Sequence, residues 1–469
     1  MGTAIAAALK ALDIKYKTSL DSDWTFFSST YNSRVPVEPE IIILPKTTEE
    51  VSQAVVCASN HGLRVQARSG GHSYASHSNG GADGAVVVDL RHLQEVMVAY
   101  NGIASVGGGV RLGTLALACQ KAGTALAHGT CPAVGIGGHF THGGFGLSSR
   151  AWGLAMDQIL ALDVVMADGA VVHASDTENT DLFYAMRGAA DSFGIAVKFY
   201  LRTQPEPKTI VKFTIEIPEA TNSVESAMKA FLHIQRFAGE APVDRRLGLV
   251  IFLAHKRFTI DGTFHGSLDT FASKILPVLL KGLPNHGAMK VTMEQTDWLN
   301  HLKLWSGTEL AIGEDYDEHH VFYAKSATIA NPGLTEGQLW RYFHHVLNAG
   351  AAAPVDYFIS AQLYGGRDSQ ITARLTPDAF AHRDAMWVFQ HYGYVNDDAT
   401  YPDEGIAFIQ DLTWALGGQN GAYNNYADPS LGRKESQQLY YGKKLNHLKE
   451  LKRQLDPNNV FSHPQSVQE

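Results

Sequence analysis

The chain has 469 residues, 45% of them apolar and 18% charged, a balance that excludes a disordered chain and, at roughly 150 residues per domain, suggests two or three domains. Lys plus Arg number 38 against 47 Asp plus Glu, for a net charge of −9 with no basic run, so neither nucleic acid nor an anionic membrane surface is an expected partner. No stretch approaches the ~18 consecutive apolar residues of a membrane helix, and three cysteines (Cys57, Cys119 and Cys131) make neither a disulfide framework nor a metal-ligand spacing.

In chain order, EIIILP (40–45) reads as a short buried strand. Thr47 followed three residues later by Glu50 is a capping-box pattern, and Val51, Ala54, Val55 and Ala58 recur behind it at helical spacing. AVVVDL (85–90) and LALDVVMADGAVVHA (160–174) read as further strands, the second a pair turning at Asp168 and Gly169. QPEPKT (204–209) reads as a proline-bearing linker. Beyond it, VKFTIEIP (211–218) alternates, with Val211, Phe213, Ile215 and Ile217 on one face and Lys212, Thr214 and Glu216 on the other. That is the pattern of a half-buried strand in an antiparallel sheet. LGLVIFLA (247–254) and PVDYFISAQLYGG (354–366) supply more strand, with helical segments between them. Leu445, Leu448, Leu451 and Leu455 mark an amphipathic helix that stops at Asp456 and Pro457. The simplest architecture is two α+β domains, the first rich in glycine.

Two segments carry possible chemistry: RSGGHSYASHSNGG (68–81) and GTCPAVGIGGHFTHGGFG (129–146). Consecutive glycines let backbone N–H groups approach an anion closely, but neither segment fits the Rossmann fingerprint or the P-loop. Taken alone they fit phosphate-binding turns and plain tight turns equally. His72 and Cys131, one in each turn, make them specific. Cys57 and Cys119 read as small core hydrophobes. His139 and His142 stand three apart with no carboxylate or thiolate at ligand spacing, so no metal site is expected.

These two segments resemble the flavin-attachment motifs of the berberine bridge enzyme-like branch of the vanillyl-alcohol-oxidase flavoproteins. The resemblance continues through MDQILALDVVMADG (156–169), ENTDLFYAMRGAADSFGIAV (178–197), YNNYAD (423–428) and DPNNVF (456–461), and thus spans nearly the whole chain. Within that branch the chain looks most like the fungal gluco-oligosaccharide oxidases. The resemblance implies FAD bonded through its 8α carbon to His72 and through C6 to Cys131. It extends the cofactor-binding set to Arg68, Ser69, Gly70, Gly71, Ser73 and Tyr74 around the first tether. Around the second it adds Val134, Gly135, Gly137, Gly138, His139, Gly143 and Gly144, and further along Gly194, Ile195 and Val197. Two bonds are expected to make the flavin a stronger oxidant and to permit an open substrate groove.

By the same resemblance, Tyr426 is the general base, with Gln362 and Tyr423 orienting. An ordinary phenol has a pKa near 10, so its anion needs stabilising. In the oligosaccharide oxidases a carboxylate belongs to this machinery, and its position here falls on Gln362. Asp356, about 20 Å away along the same strand, is no substitute. Ungapped matching places Phe252, Phe358 and Ser360 where sugar oxidases carry a carboxylate, a tryptophan platform and a glutamine, whereas Gln390 matches. With Tyr74, these four are the expected substrate pocket. Two substrate classes compete: a mono- or oligosaccharide oxidised to a lactone at its anomeric carbon, and an apolar or aromatic alcohol or alkaloid-type metabolite. Val134 takes the position where valine or isoleucine accompanies oxygen reactivity in this family, which implies an oxidase making H2O2.

The implied fold is the two-domain α+β fold of that flavoprotein group. Residues 1–207, with 415–469 returning to them, are expected to bind FAD, and 208–414 to form an antiparallel-sheet substrate domain. The expected partners are a small-molecule substrate and O2, with the chain a monomer. The resemblance implies secretion. Against it, MGTAIAAALKALDI lacks the basic start of a signal peptide, and neither a disulfide framework nor an Asn-X-Ser/Thr acceptor is present.

Overall fold

The computed structural model describes residues 2–240, 243–284, 288–313, 315–373, 377–417 and 421–468. Near the N-terminus, strands Ile41–Ile43, Val86–Asp89 and Val65–Arg68 pair in parallel in that spatial order, and Tyr16–Lys17 adds an antiparallel edge. Parallel strands that follow one another in sequence need a crossover, which the helix Thr48–Asn60 supplies between Ile41–Ile43 and Val65–Arg68, on either side of Val86–Asp89. Thr47 caps this helix by accepting the Glu50 N–H at 3.2 Å. The Glu50 carboxylate returns to the N–H of Lys46 at 2.7 Å, one residue earlier than a capping box reaches. Val51, Ala54, Val55 and Ala58 form its buried stripe.

A second sheet of five antiparallel strands runs in the order Val96–Val98, Ile103–Gly107, Ile195–Arg202, Ile159–Val165 and Val171–Ser175. The tight turn between the last two has Gly169 at φ +84°, a conformation glycine adopts without penalty. The expected linker is partly strand: Gln204–Pro205 pairs with Thr124–Ala125. Proline is tolerated there because the short ladder is an edge needing no donor from it.

Strands between residues 210 and 394 make a seven-stranded antiparallel sheet. Its order is Lys290–Thr296, Ile210–Glu216, Arg257–Phe264, Leu247–Ala254, Asp356–Leu363, Ala385–Tyr394 and Phe322–Ala330. Because side chains alternate along a strand, each strand contributes to two faces. Phe213, Ile215, Leu249, Ile251, Ile359, Ala361 and Phe389 point into a core shared with the helices Val224–Gly239, Glu336–Asn348 and Asp403–Trp414. The intervening residues Lys212, Val250, Phe252, Phe358, Ser360, Gln362 and Gln390 line a cavity on the other side. One alternation therefore makes both the core and the pocket wall.

The last helix, Leu445–Leu455, buries Leu448 and Leu451 and ends where Asp456 takes over the chain's donors. The Asp456 carboxylate accepts the N–H groups of Val460 and Phe461, each at 2.9 Å, and pairs with Lys452 Nζ at 2.6 Å. The following backbone then joins the first sheet, Val65 N–H donating to Val460 O at 2.8 Å. Among the described residues no helix is long and apolar enough to cross a membrane.

Candidate active site

A cavity of about 690 Å3 opens between the glycine-rich turns and the seven-stranded sheet, within the size range of small-molecule sites. The turns meet backbone to backbone. A Cβ on Gly70 would lie 2.2 Å from the amide nitrogen of Gly135, so only glycine allows the approach. Ser69 Oγ locks the junction, donating to Gly108 O at 2.7 Å and accepting the Gly137 N–H at 3.2 Å. His139 Nε2 accepts the Gly129 N–H at 2.9 Å, and burial pushes its pKa down to about 3, so this histidine is a neutral brace for the second turn.

His72 and Cys131 both line this cavity. The His72 ring lies 4.4 Å from that of Tyr31 and 5.7 Å from that of Tyr316. Burial first, then the Arg111 cation, pushes its pKa down to about 4, leaving a neutral imidazole with a free lone pair. Of the three cysteines only Cys131 is exposed. Burial pushes the Cys119 thiol up to about 12, which makes it inert.

Across the cavity, Gln362 Nε2 donates to Tyr426 Oη at 2.7 Å. Burial raises the Tyr426 phenol well above its ordinary value and the Gln362 donor opposes that rise. The Gln362 Oε1 is buried and accepts no hydrogen bond from the described residues, so the amide offers an unused acceptor beside the phenol. Tyr423 is held differently: its Oη accepts from Gly144 N–H at 2.8 Å, Phe145 N–H at 3.3 Å and Asn425 Nδ2 at 2.9 Å. Its ring meets that of Tyr426 edge-on at 5.0 Å. Asp356 is exposed at the far end of the strand that bears Gln362 and does not line the cavity.

The remaining wall is aromatic and amide. Gln390 Nε2 donates to Tyr74 Oη at 3.0 Å, and Ser360 Oγ to Gln390 Oε1 at 3.4 Å. Phe252 lies 6.3 Å from Phe358, which stacks on Tyr392 at 5.0 Å. Val134 also borders the space. Strand pairing carries Lys212 and Asp261 into the wall, and the helix Trp298–Ser306 adds Trp305, none of which the sequence singled out. Only the polar face of VKFTIEIP hinted at the first.

Several residues of the expected cofactor set do not themselves line the cavity. Arg68 is buried in an ion pair with Asp89, Nε to Oδ2 2.8 Å. Gly143 and Gly144 pack beside Tyr423 and His139, and Gly137 beside Ser69. Ile195 and Val197 belong to the strand that starts at Ile195, and Gly194 just before it packs against Val164. Ser73, by contrast, borders the cavity and also closes its own turn by accepting the His77 N–H at 2.9 Å. Gly71, Ser73, Tyr74, Gly135 and Gly138 do line the cavity, and a Cβ on Gly138 would meet nothing within 4 Å.

Unanticipated from sequence is a buried cluster in which Asp191 Oδ2 lies 3.0 Å from His463 Nε2 and 3.4 Å from His142 Nε2. Burial alone would raise the Asp191 carboxyl, but His142 and His463 hold it well below its ordinary value. His77 completes a trio whose ligand atoms lie within 4.8 Å of one another. His463 Nδ1 accepts the Gln465 N–H, so its Nε2 carries the proton that faces Asp191. That tautomer has no lone pair left for a cation.

Residues that fit FAD are thus present: a neutral imidazole, an exposed thiol, close-packed glycine turns and open space over Gly138. Residues 39–175 match the FAD binding domain family, and residues 422–468 the berberine and berberine-like family. A xylooligosaccharide oxidase from Thermothelomyces thermophilus is 34% identical over 477 residues, spanning 99% of this chain and 94% of that protein. A glucooligosaccharide oxidase from Sarocladium strictum is 32% identical over the same shares of the two chains. Among solved structures, a chitooligosaccharide oxidase superposes with a TM-score of 0.94 at 30% identity, covering 99% of both chains. A glucooligosaccharide oxidase from Acremonium strictum, studied for its 6-S-cysteinyl, 8α-N1-histidyl FAD, superposes with a TM-score of 0.93 at 31% identity, again over 99% of both chains.

Proposed function

The chain belongs to the berberine bridge enzyme-like FAD-linked oxidoreductases, and on that premise we propose that it oxidises the anomeric carbon of a mono- or oligosaccharide to a lactone while O2 becomes H2O2. FAD, bound through its 8α carbon to His72 and through C6 to Cys131, supplies the two-electron acceptor that O2 then empties. The observation that carries the reading is the Gln362–Tyr426 hydrogen bond of 2.7 Å in the cavity that His72 and Cys131 also line.

Tyr426 takes the proton of the hydroxyl whose carbon loses hydride, and the Gln362 N–H holds the phenolate that does so. The unused Gln362 Oε1 accepts a neighbouring substrate hydroxyl and thereby orients it. Tyr423 keeps the Gly144–Phe145 backbone in place behind the base. Phe252 and Phe358, the latter backed by Tyr392, offer rings for stacking a sugar, and Ser360, Gln390 and Tyr74 a hydrogen-bonded row beside them. Val134, which borders the cavity, is the residue assigned to O2 access. The FAD part comprises residues 1–207 with 415–469, and the substrate part residues 208–414.

A second reading, oxidation of an apolar or aromatic alcohol or an alkaloid-type metabolite, rests on one observation: Phe252 and Phe358 line the cavity edge to face, 6.3 Å apart, where polar sugar contacts are otherwise expected. Incubating the holoenzyme in air with xylo-, gluco- and chito-oligosaccharides and with benzylic alcohols distinguishes the two. The carbohydrate reading predicts one H2O2 per aldonic acid formed, identified by mass. Peroxide from the aromatic alcohols alone would overturn it.

A further inference from the structure

We propose that Tyr316 and Glu318 are positioning residues for flavin attachment, forming the exit for the proton that His72 must lose when it is bonded to FAD. The inference rests on the tether reading above. His72 Nε2 lies 3.3 Å from Tyr316 Oη, and the Tyr316 hydroxyl donates in turn to Glu318 Oε2 through a very short hydrogen bond. Because the Tyr316 hydrogen points at the carboxylate, its oxygen presents a lone pair to His72. His72 Nε2 is therefore the protonated nitrogen, and Nδ1, which makes no hydrogen bond among the described residues, keeps the nucleophilic lone pair.

The path continues outward. Glu318 Oε1 lies 3.0 Å from His320 Nε2, and His320 Nδ1 lies 3.3 Å from Asp397 on the exposed surface. Tyr316 and Glu318 do not line the cavity, and the Arg111 guanidinium sits 4.7 Å above the Tyr316 ring. Separately, the Tyr316 hydrogen bond holds the Glu318 carboxyl below its ordinary value, so the terminal acceptor is ionised near neutral pH.

Attachment needs such an acceptor. A bond forms between His72 Nδ1 and the 8α carbon while one 8α C–H bond and the Nε2–H bond break. Two protons and two electrons leave the imidazole and methyl together. The electrons enter the flavin and pass to O2, which takes up two protons to become H2O2. The Nε2 proton goes to Tyr316 Oη as the Tyr316 proton goes to Glu318. Without this exit the product would be a cationic alkylated ring held in a buried place, which is unfavourable.

The test uses two backgrounds, Cys131→Ala, in which only His72 can hold flavin, and His72→Ala, in which only Cys131 can. Each is combined with Glu318→Gln or Tyr316→Phe, isolated with its FAD, and followed over time for flavin that stays with the chain after acid precipitation. In Cys131→Ala, either second substitution is expected to slow attachment at least ten-fold, whereas attachment in His72→Ala is unchanged. Equal rates with and without the second substitution in Cys131→Ala would overturn the inference. Equal slowing in both backgrounds would also overturn it, because the pair would then serve the pocket rather than the histidine. Absence of covalent flavin in Cys131→Ala itself would remove the tether reading and this inference with it.

Discussion

Replacing Gln362 by Leu is the sharpest probe of the base. The substitution nearly conserves volume and leaves the strand's ladder bonds to residues 250 and 388 intact, since those are backbone bonds. What it removes is the 2.7 Å donor to Tyr426 Oη, the one side-chain hydrogen bond that opposes the burial-driven rise of that phenol. A hydrogen bond to a charged group is worth about 1.5–3 kcal/mol, and each 1.36 kcal/mol is a factor of ten, so the expected loss is about 10- to 150-fold. The loss belongs to the reductive half-reaction, measured as anaerobic flavin bleaching in a stopped-flow instrument at saturating substrate. The pH profile should move as well. The base acts when deprotonated, and losing the donor raises the phenol further, so the rise of rate with pH should shift alkaline by about one to two units. Bleaching within two-fold of the parent with an unmoved profile would show that Gln362 does not support the base.

Further outcomes follow from the same geometry. Tyr426→Phe, measured the same way, should slow bleaching by about 10²–10⁴-fold, the range for a lost general base, while the covalent flavin is retained. Gly70→Ala should sharply cut the yield of yellow protein, because its methyl would meet the Gly135 amide nitrogen at 2.2 Å. Normal flavin content in that variant would contradict the close approach of the turns. Asp191→Asn should destabilise by about 3–5 kcal/mol near pH 6, read by calorimetry, because it leaves His142 and His463 facing no carboxylate. The Asp191 carboxyl lies well below its unfolded value, so its contribution is present above the ordinary carboxyl range and is lost as pH falls through the folded value. The His142 imidazole lies above its ordinary value, so its share is full below about pH 6.5 and is lost as pH rises beyond the folded value. The deficit of Asp191→Asn should therefore narrow at both pH extremes.

Local pattern made much of this molecule legible. Thr47 and the stripe Val51, Ala54, Val55 and Ala58 define a helix from within thirteen residues, and the alternation from Val211 to Ile217 defines a strand and its two faces. His72 and Cys131 stood out because each sits in a glycine turn that few sequences need. What pairing over long separations creates was not legible. Tyr316 is 244 positions from the His72 it contacts, and no spacing rule joins Asp191 to His463. Lys212 and Asp261 reach the cavity only through the register of neighbouring strands, and Trp305 only through the packing of the helix Trp298–Ser306. The close packing of Gly143 and Gly144 on Tyr423 and His139 is likewise a long-range contact that their sequence context does not announce.

The central claim is that this cavity takes hydride from a sugar. Anaerobic mixing of the holoenzyme with xylobiose, cellobiose, chitobiose and benzylic alcohols, monitored by loss of the yellow flavin band, tests it most directly. The account predicts rapid bleaching by at least one of the disaccharides and negligible bleaching by the alcohols. Bleaching by the aromatic alcohols with none from any sugar would contradict it and make Phe252 and Phe358 the walls of an apolar substrate site.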